Sequence, residues 1–244
     1  MRAVDRRRML ALPFLGALLA TCTAPAPPSS PAADLTASYL ERYFATFPSR
    51  ATAAGRHDRD GELEDLSPEI LAAWVAFNRQ AGERARALLD GDLDADDCLD
   101  LELLLRQTEL QVFDFAVLRR AQRDPLFWTG VLGNATVFLL VRDDHPLAER
   151  LESAVRRAEQ IPRLTEQARQ ALAAAPADRL AAELCALAER QARASATFYD
   201  QGFPRAAAGL SGEEGERLRA ALAAAGRRAA AALAALAEDL AALG

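Results

Sequence analysis

The stretch richest in side chains that can do chemistry is Gly55-Arg56-His57-Asp58-Arg59-Asp60-Gly61-Glu62-Leu63-Glu64-Asp65-Leu66-Ser67, which holds one of the chain's two histidines. A carboxylate beside an imidazole fixes its orientation, so Asp58 next to His57 suits a base or a metal ligand, and Asp60 belongs to the same loop. The same residues also read as a solvated loop in which Asp58 and Asp60 make turns and Ser67 caps the next helix. The other histidine, His145, follows Arg142-Asp143-Asp144 and precedes Pro146, the pattern of a helix-entry turn. No His-Glu-x-x-His occurs, and His57 and His145 are far too distant in sequence to pair on one helix face. Asp90-Gly91-Asp92-Leu93-Asp94-Ala95-Asp96-Asp97 fails as a calcium loop, because Ala95 stands where glycine is needed and Leu101 where the bidentate glutamate belongs. It reads better as an acidic helix start. Cys98 and Cys185 fall on apolar helix faces and are expected to be small core residues. Gly-x-Ser-x-Gly, Gly-x-Gly-x-x-Gly and the P-loop pattern are absent, so the sequence offers no self-sufficient catalytic set and no metal or cofactor site.

The elements that would position these residues are helices, because apolar residues recur at helical spacing and nowhere alternate for long. Leu35, Tyr39, Leu40, Tyr43, Phe44 and Phe47 share the face of a helix capped by Asp34 or Thr36 and ended by Pro48. Ser67-Pro68-Glu69 opens a second helix that turns Ile70, Leu71, Trp74, Phe77, Ala81, Leu88 and Leu89 inward and stops at Gly91. A third is expected over residues 96–121. The nearly all-apolar run Pro125–Val141 should be the most buried helix, with Gly130 and Gly133 admitting a close neighbour. Further helices are expected over residues 146–160, 162–174 and 177–199, separated at Pro162, Pro176 and Gly202-Phe203-Pro204. Ser211 and Glu214 form a capping box that opens a last helix on Leu218, Leu222, Ala225, Ala229, Leu233, Leu236, Leu240 and Leu243. That stripe needs a partner helix from this chain or from a segment beyond it. The expected fold is an all-α bundle of about seven to eight helices.

With 35 acidic against 29 basic residues, all of the latter arginine, the chain has no basic face for a nucleic-acid backbone. Its first 33 residues read as an address: three arginines, an apolar stretch over residues 9–20, then a tail rich in Pro, Ala and Ser. A dozen helical residues span roughly 18 Å against a hydrocarbon core of roughly 30 Å, so the stretch suits a signal rather than a permanent span. Leu19-Ala20-Thr21-Cys22 resembles a lipobox, which makes Cys22 the expected lipidation site and membrane anchor. Asp5-Arg6-Arg7-Arg8-Met9-Leu10 is similar to a twin-arginine export motif. The organisation expected is an export signal over residues 1–22, an extended tether over 23–33 and a helical body over 34–244, exported and anchored in the cell envelope.

Tyr39-Leu40-Glu41-Arg42-Tyr43-Phe44, then Pro48-Ser49-Arg50-Ala51-Thr52-Ala53-Ala54-Gly55-Arg56-His57-Asp58, then Leu66-Ser67-Pro68 form a block that resembles the N-terminal signature of the bacterial domain-of-unknown-function 885 family, DUF885. The likeness continues through residues 100–109, Arg123-Asp124-Pro125-Leu126 and residues 150–162. The resemblance implies an exported helical protein, the N-terminal half of a zinc metallopeptidase-like protein whose zinc ligands and general base come from a His-Glu-containing segment in the C-terminal half. No such segment occurs in these 244 residues. Zinc is expected only in longer relatives, and the His57 loop would wall a channel for a peptide-like ligand. A missing catalytic half or a partner helix would lie against the last helix. The alternatives are an envelope binding module that stands alone, or a gene fragment.

Overall fold

The structure is a computed structural model that describes residues 30–174 and 180–244. Cys22, the arginine pair Arg6-Arg7 and the export signal lie outside the described residues. Only residues 30–33 of the expected tether are described, and from Pro31 on they are already helical. Helix α1 (Pro31–Thr46) begins there because Ser30 Oγ accepts from Ala33 N at 3.0 Å and Pro31 takes a first-turn position where its missing N–H is not needed. The cap is therefore Ser30, not Asp34 or Thr36. Among the described residues the body is all-α, with seven α-helices of ten residues or more joined by shorter helical pieces.

The first layer is α1 with α3 (Pro68–Leu89) and α4 (Ala95–Val112). Its core holds Leu35, Tyr39, Trp74, Ala81, Ala85, Leu101 and Leu104. Rings stack through it: Tyr39 on Phe77 at 5.7 Å, Phe77 on Trp74 at 5.6 Å, and Phe47 edge-on to Trp74 at 5.4 Å. The polar tips of Tyr39, Asn78 and Trp74 each have a partner. Tyr39 Oη donates to Asn78 Oδ1 at 3.0 Å, Asn78 Nδ2 to the Trp74 carbonyl at 2.8 Å, and Trp74 Nε1 to Gln111 Oε1 at 2.9 Å. Asp94 caps α4 by accepting from Asp97 N at 2.8 Å, as an acidic helix start requires. Ile70, expected inward, is exposed, and so are Leu99, Leu103, Leu110, Phe113 and Val117 along one face of α4 and its extension.

The second layer is α8 (Leu147–Ala173), α9 (Ala182–Thr197) and α10 (Gly212–Leu243). Small residues dominate the seams: Ala154, Ala158 and Ala168 on α8, Ala188 and Ala192 on α9, Ala225, Ala229 and Ala237 on α10. The partner that the α10 stripe requires is thus α8 and α9 of this chain. One expected boundary dissolves. Pro162 sits inside α8, where burial of Ile161, Leu164, Thr165 and Ala168 keeps the helix continuous across one lost backbone bond. Ser211 occupies the cap position of α10 without a side-chain bond, so the capping box does not form. After α9, a π-helical turn (Phe198–Gly202) and a 3-10 segment (Phe203–Gly209) bring Tyr199 and Phe203 against α10 at Gly226, whose Cβ position would lie 2.3 Å from the Tyr199 carbonyl oxygen.

Short pieces join the layers: α2 (Pro48–Ala53), a π-helical turn (Phe113–Val117), α5 (Arg120–Arg123), α6 (Pro125–Asn134) and α7 (Val137–Val141). The expected helix over residues 96–121 ends early because Arg119 takes a left-handed φ of 53° and turns the chain. The expected continuous helix Pro125–Val141 is broken at Ala135-Thr136. It is not the most buried one: Trp128, Leu132 and Leu139 are covered, but Phe127, Val131 and Phe138 are only partly so. Gly130 has nothing within 4 Å of its Cβ position, so no neighbour packs there. Phe47 and Phe115 touch both cores and hinge the two layers together.

Candidate functional site

Two polar features lie where the layers meet. The first is the His57 loop. Gly55 turns the chain out of α2 with φ of 82°, a conformation that favours glycine, and the Arg142 guanidinium lies 3.1 Å from its Cβ position. The loop is fastened to α8 over its whole length. Gln160 Nε2 donates to the Gly61 carbonyl at 2.8 Å, Leu63 N donates to Gln160 Oε1 at 3.2 Å, and Leu66 N donates to Gln167 Oε1 at 3.0 Å. The main fastener is Arg157, which has no exposed surface. Its guanidinium donates to the carbonyls of Glu62 (2.7 Å), Ala135 (3.1 Å) and Pro48 (3.1 Å) and to Thr52 Oγ1 (2.6 Å). Burial pulls its pKa below the usual arginine value, while the carboxyls of Glu64 and Asp60 oppose that shift. This loop is a fixed scaffold rather than a solvated strand of chain.

On this scaffold His57 Nδ1 lies 2.8 Å from Asp60 Oδ2, and Thr52 donates to Asp60 Oδ1 at 2.6 Å. The acid that orients His57 is therefore buried Asp60. Asp58 points elsewhere, pairing with Arg56 at 3.3 Å and Arg59 at 3.7 Å. Arg56 also grips Glu41 and lies over the Phe44 ring, at 5.2 Å, which ties the loop to α1. Across the loop stands the turn between α7 and α8. His57 Nε2 is 3.3 Å from Asp144 Oδ2, and the His57 and His145 rings stack at 3.9 Å and 28°. Arg142 clasps Asp144, holding its carboxyl below the usual carboxylate range, and donates to the Ala53 carbonyl at 3.2 Å. His145 Nδ1 faces the Asp144 carbonyl oxygen at 2.7 Å. Sequence reasoning placed the two histidines in separate turns and missed that the fold brings the turns face to face. Each histidine stands beside an aspartate in a helix-flanking turn, and nothing in that local pattern marks their meeting.

The second feature is a cleft of about 430 Å³ between the layers. Tyr43, Phe47 and Phe115 wall it on one side and Phe127, Val131 and Phe138 on the other, with open Gly130 among them. The π-helical turn Phe113–Val117 delivers Asp114 and Phe115 to it, a use for which such turns are suited. Glu64, 1 % exposed, lies in its wall. Its Oε1 accepts from the Ser49 backbone N at 3.1 Å and from the Ser49 hydroxyl, whereas Oε2 is buried and makes no hydrogen bond within the protein. Nothing in the sequence pattern marked Glu64. Cys185 is buried, which pushes its thiol up, and Cys98 is half-buried.

A family model described as a bacterial protein of unknown function, DUF885, matches residues 48–243. No curated protein matches the chain. Among solved structures, a Shewanella oneidensis protein described as "a putative lipoprotein of unknown function" is similar, with a TM-score of 0.72 at 20 % identity over 88 % of this chain. The match spans 38 % of that protein's length.

Proposed function

Since the chain belongs to the bacterial DUF885 family, we propose that it is the exported, lipid-anchored helical body of a metallopeptidase-like protein and that its cleft forms part of the channel receiving a peptide-like substrate. The observation that carries this reading is the cleft itself. An apolar helix pair that could have been buried instead leaves Phe127, Val131 and Phe138 facing open space, opposite Tyr43, Phe47 and Phe115. A buried carboxyl oxygen without a donor stands in the wall. Leaving such an atom unpaired costs about 1–3 kcal/mol, and a ligand N–H recovers that cost on binding. Aromatic walls interspersed with polar and charged groups, among them Glu64, Asp114, Arg50 and Arg120, suit a peptide that offers both side chains and backbone amides. The description of the Shewanella oneidensis protein supports the anchor at Cys22. The His-Glu segment that the family resemblance implies has no counterpart in these 244 residues, so no hydrolytic step is assigned to them.

Trp74 reports on the cleft through its bond to Gln111, which lines it. Titration with Leu-Leu-Phe bearing a free N-terminus is expected to change Trp fluorescence saturably, with the affinity falling at least tenfold in Glu64→Gln. No saturable response, or an equal response in the variant, overturns the cleft assignment. With zinc added, the purified chain should leave the peptide intact; chelator-sensitive turnover would show that a catalytic set has been missed. Fatty-acid labelling of cells, with Cys22→Ala as control, tests the anchor, and an unlabelled wild type removes it.

A further inference from the structure

We propose that His57, Asp144 and His145 form a binding site for a divalent transition metal of the zinc type, separate from the cleft and from the catalytic segment of longer relatives. One ligand atom from each of these residues lies within 4.8 Å of the others, and His57 Nε2 is already 3.3 Å from Asp144 Oδ2. Zinc bonds of about 2.0–2.2 Å in a tetrahedron set donor separations of roughly 3.4 Å, so closing the set takes donor shifts on the order of 1 Å, with the His57 and His145 rings turning out of their stack to aim at one ion.

Three features beyond proximity match what a metal site needs. The His57 Nδ1 contact with Asp60 at 2.8 Å leaves Nε2 free to coordinate, the carboxylate–histidine arrangement that orients metal-binding imidazoles. Asp60 is in turn held by Thr52, and Thr52 by Arg157, so the orienting chain is anchored in buried structure. His145 has its Nδ1 on the Asp144 carbonyl oxygen at 2.7 Å, which also leaves its Nε2 to coordinate. Arg142 holds the Asp144 carboxyl facing His57, and its charge is offset by the nearby carboxyls of Asp143 and Asp60. Two imidazoles and one carboxylate select zinc, copper, nickel or cobalt over calcium and magnesium, which prefer all-oxygen sets. Three protein ligands leave a fourth position for water.

Titrating the full-length, chelator-treated protein with Zn²⁺ by calorimetry is expected to show one site, weakened at least tenfold in His57→Ala and in His145→Asn. The second variant, confined to the surface turn, keeps the test valid if the first does not fold. Co²⁺ loading should give the intense visible bands of a four-coordinate nitrogen and oxygen site without the near-ultraviolet band of a thiolate ligand. Ca²⁺ at equal concentration should not compete. Absence of zinc binding, full binding by the His145→Asn variant, or a thiolate band that places the metal on Cys98 or Cys185 overturns the proposal. These readouts are independent of peptide binding at the cleft.

Discussion

Between α1, α3 and α4 the core is filled by rings, Tyr39, Phe77, Trp74 and Phe47, and the polar tips of Tyr39 and Trp74 each demand a partner. Between α8, α9 and α10 it is filled by alanine and leucine, which demand nothing polar but require backbones to approach closely. The difference bears on what lines the cleft between the layers. Ring packing leaves gaps and brings along hydrogen-bonding groups such as Gln111, so the cleft opens on the aromatic side. The alanine seams are close-packed at Ala158, Ala192, Ala225 and Ala229, open into grooves toward Leu240 at the end of α10, and serve as the frame on which the His57 loop is fastened.

The contrast can be broken at four levels. Trp74→Ala empties the centre of the aromatic layer, where the ring has no exposed surface, and should cost about 3–5 kcal/mol in urea unfolding. A loss under 1 kcal/mol would mean that the rings are not the core of that layer. Arg157→Ala strikes the junction, leaving three buried carbonyls and Thr52 without their donor, and should cost about 3–5 kcal/mol. It should also loosen the His57 loop before either layer melts, visible as protease cutting between residues 54 and 67. Gly226→Ala tests the opposite layer, since one added methyl meets the Tyr199 carbonyl; about 1–3 kcal/mol is expected, against a gain if the seam were loose. Ser30→Ala removes the cap of α1 and should cost about 1 kcal/mol.

Alkali compares the layers through their tyrosines. Burial pushes the Tyr199 phenol up to about 12 and raises Tyr39 as well. A folded pKa above the unfolded one stabilises the protein fully below about pH 10, and the benefit is lost as pH rises toward 12. Phenolate absorbance from Tyr39 and Tyr199 should therefore appear late, together with unfolding. Early titration of these two in folded protein would contradict their burial.

Much of the fold is legible in the sequence because it rests on local chemistry. Pro68 after Ser67 starts α3, Asp94 caps α4, and the leucine stripe of α10 finds its partners. What is not legible depends on distant neighbours. Pro162 reads as a break, yet tertiary burial carries α8 through it. The apolar run from Pro125 reads as buried on all sides, yet one side faces a cleft, and periodicity cannot distinguish a wall from a core. Asp58 is the acid adjacent to His57 in sequence, whereas Asp60 is the one that turns back to it, three residues on. The stacking of His57 on His145 depends on two turns meeting across the body, which no local pattern encodes.

The bonds of Arg157 to Glu62, Thr52 and Pro48 reach back 95 to 109 residues along the chain. A contact that closes so long a loop must wait for the helices on either side to form and dock, whereas α3 and α4 meet as immediate neighbours. The His57 loop is therefore among the last parts of the molecule to assemble during folding. Through Gln160 and Gln167 the amide hydrogens of Leu63 and Leu66 become protected only when both halves of the chain are in place, so exchange at these two positions reports completion of the whole fold.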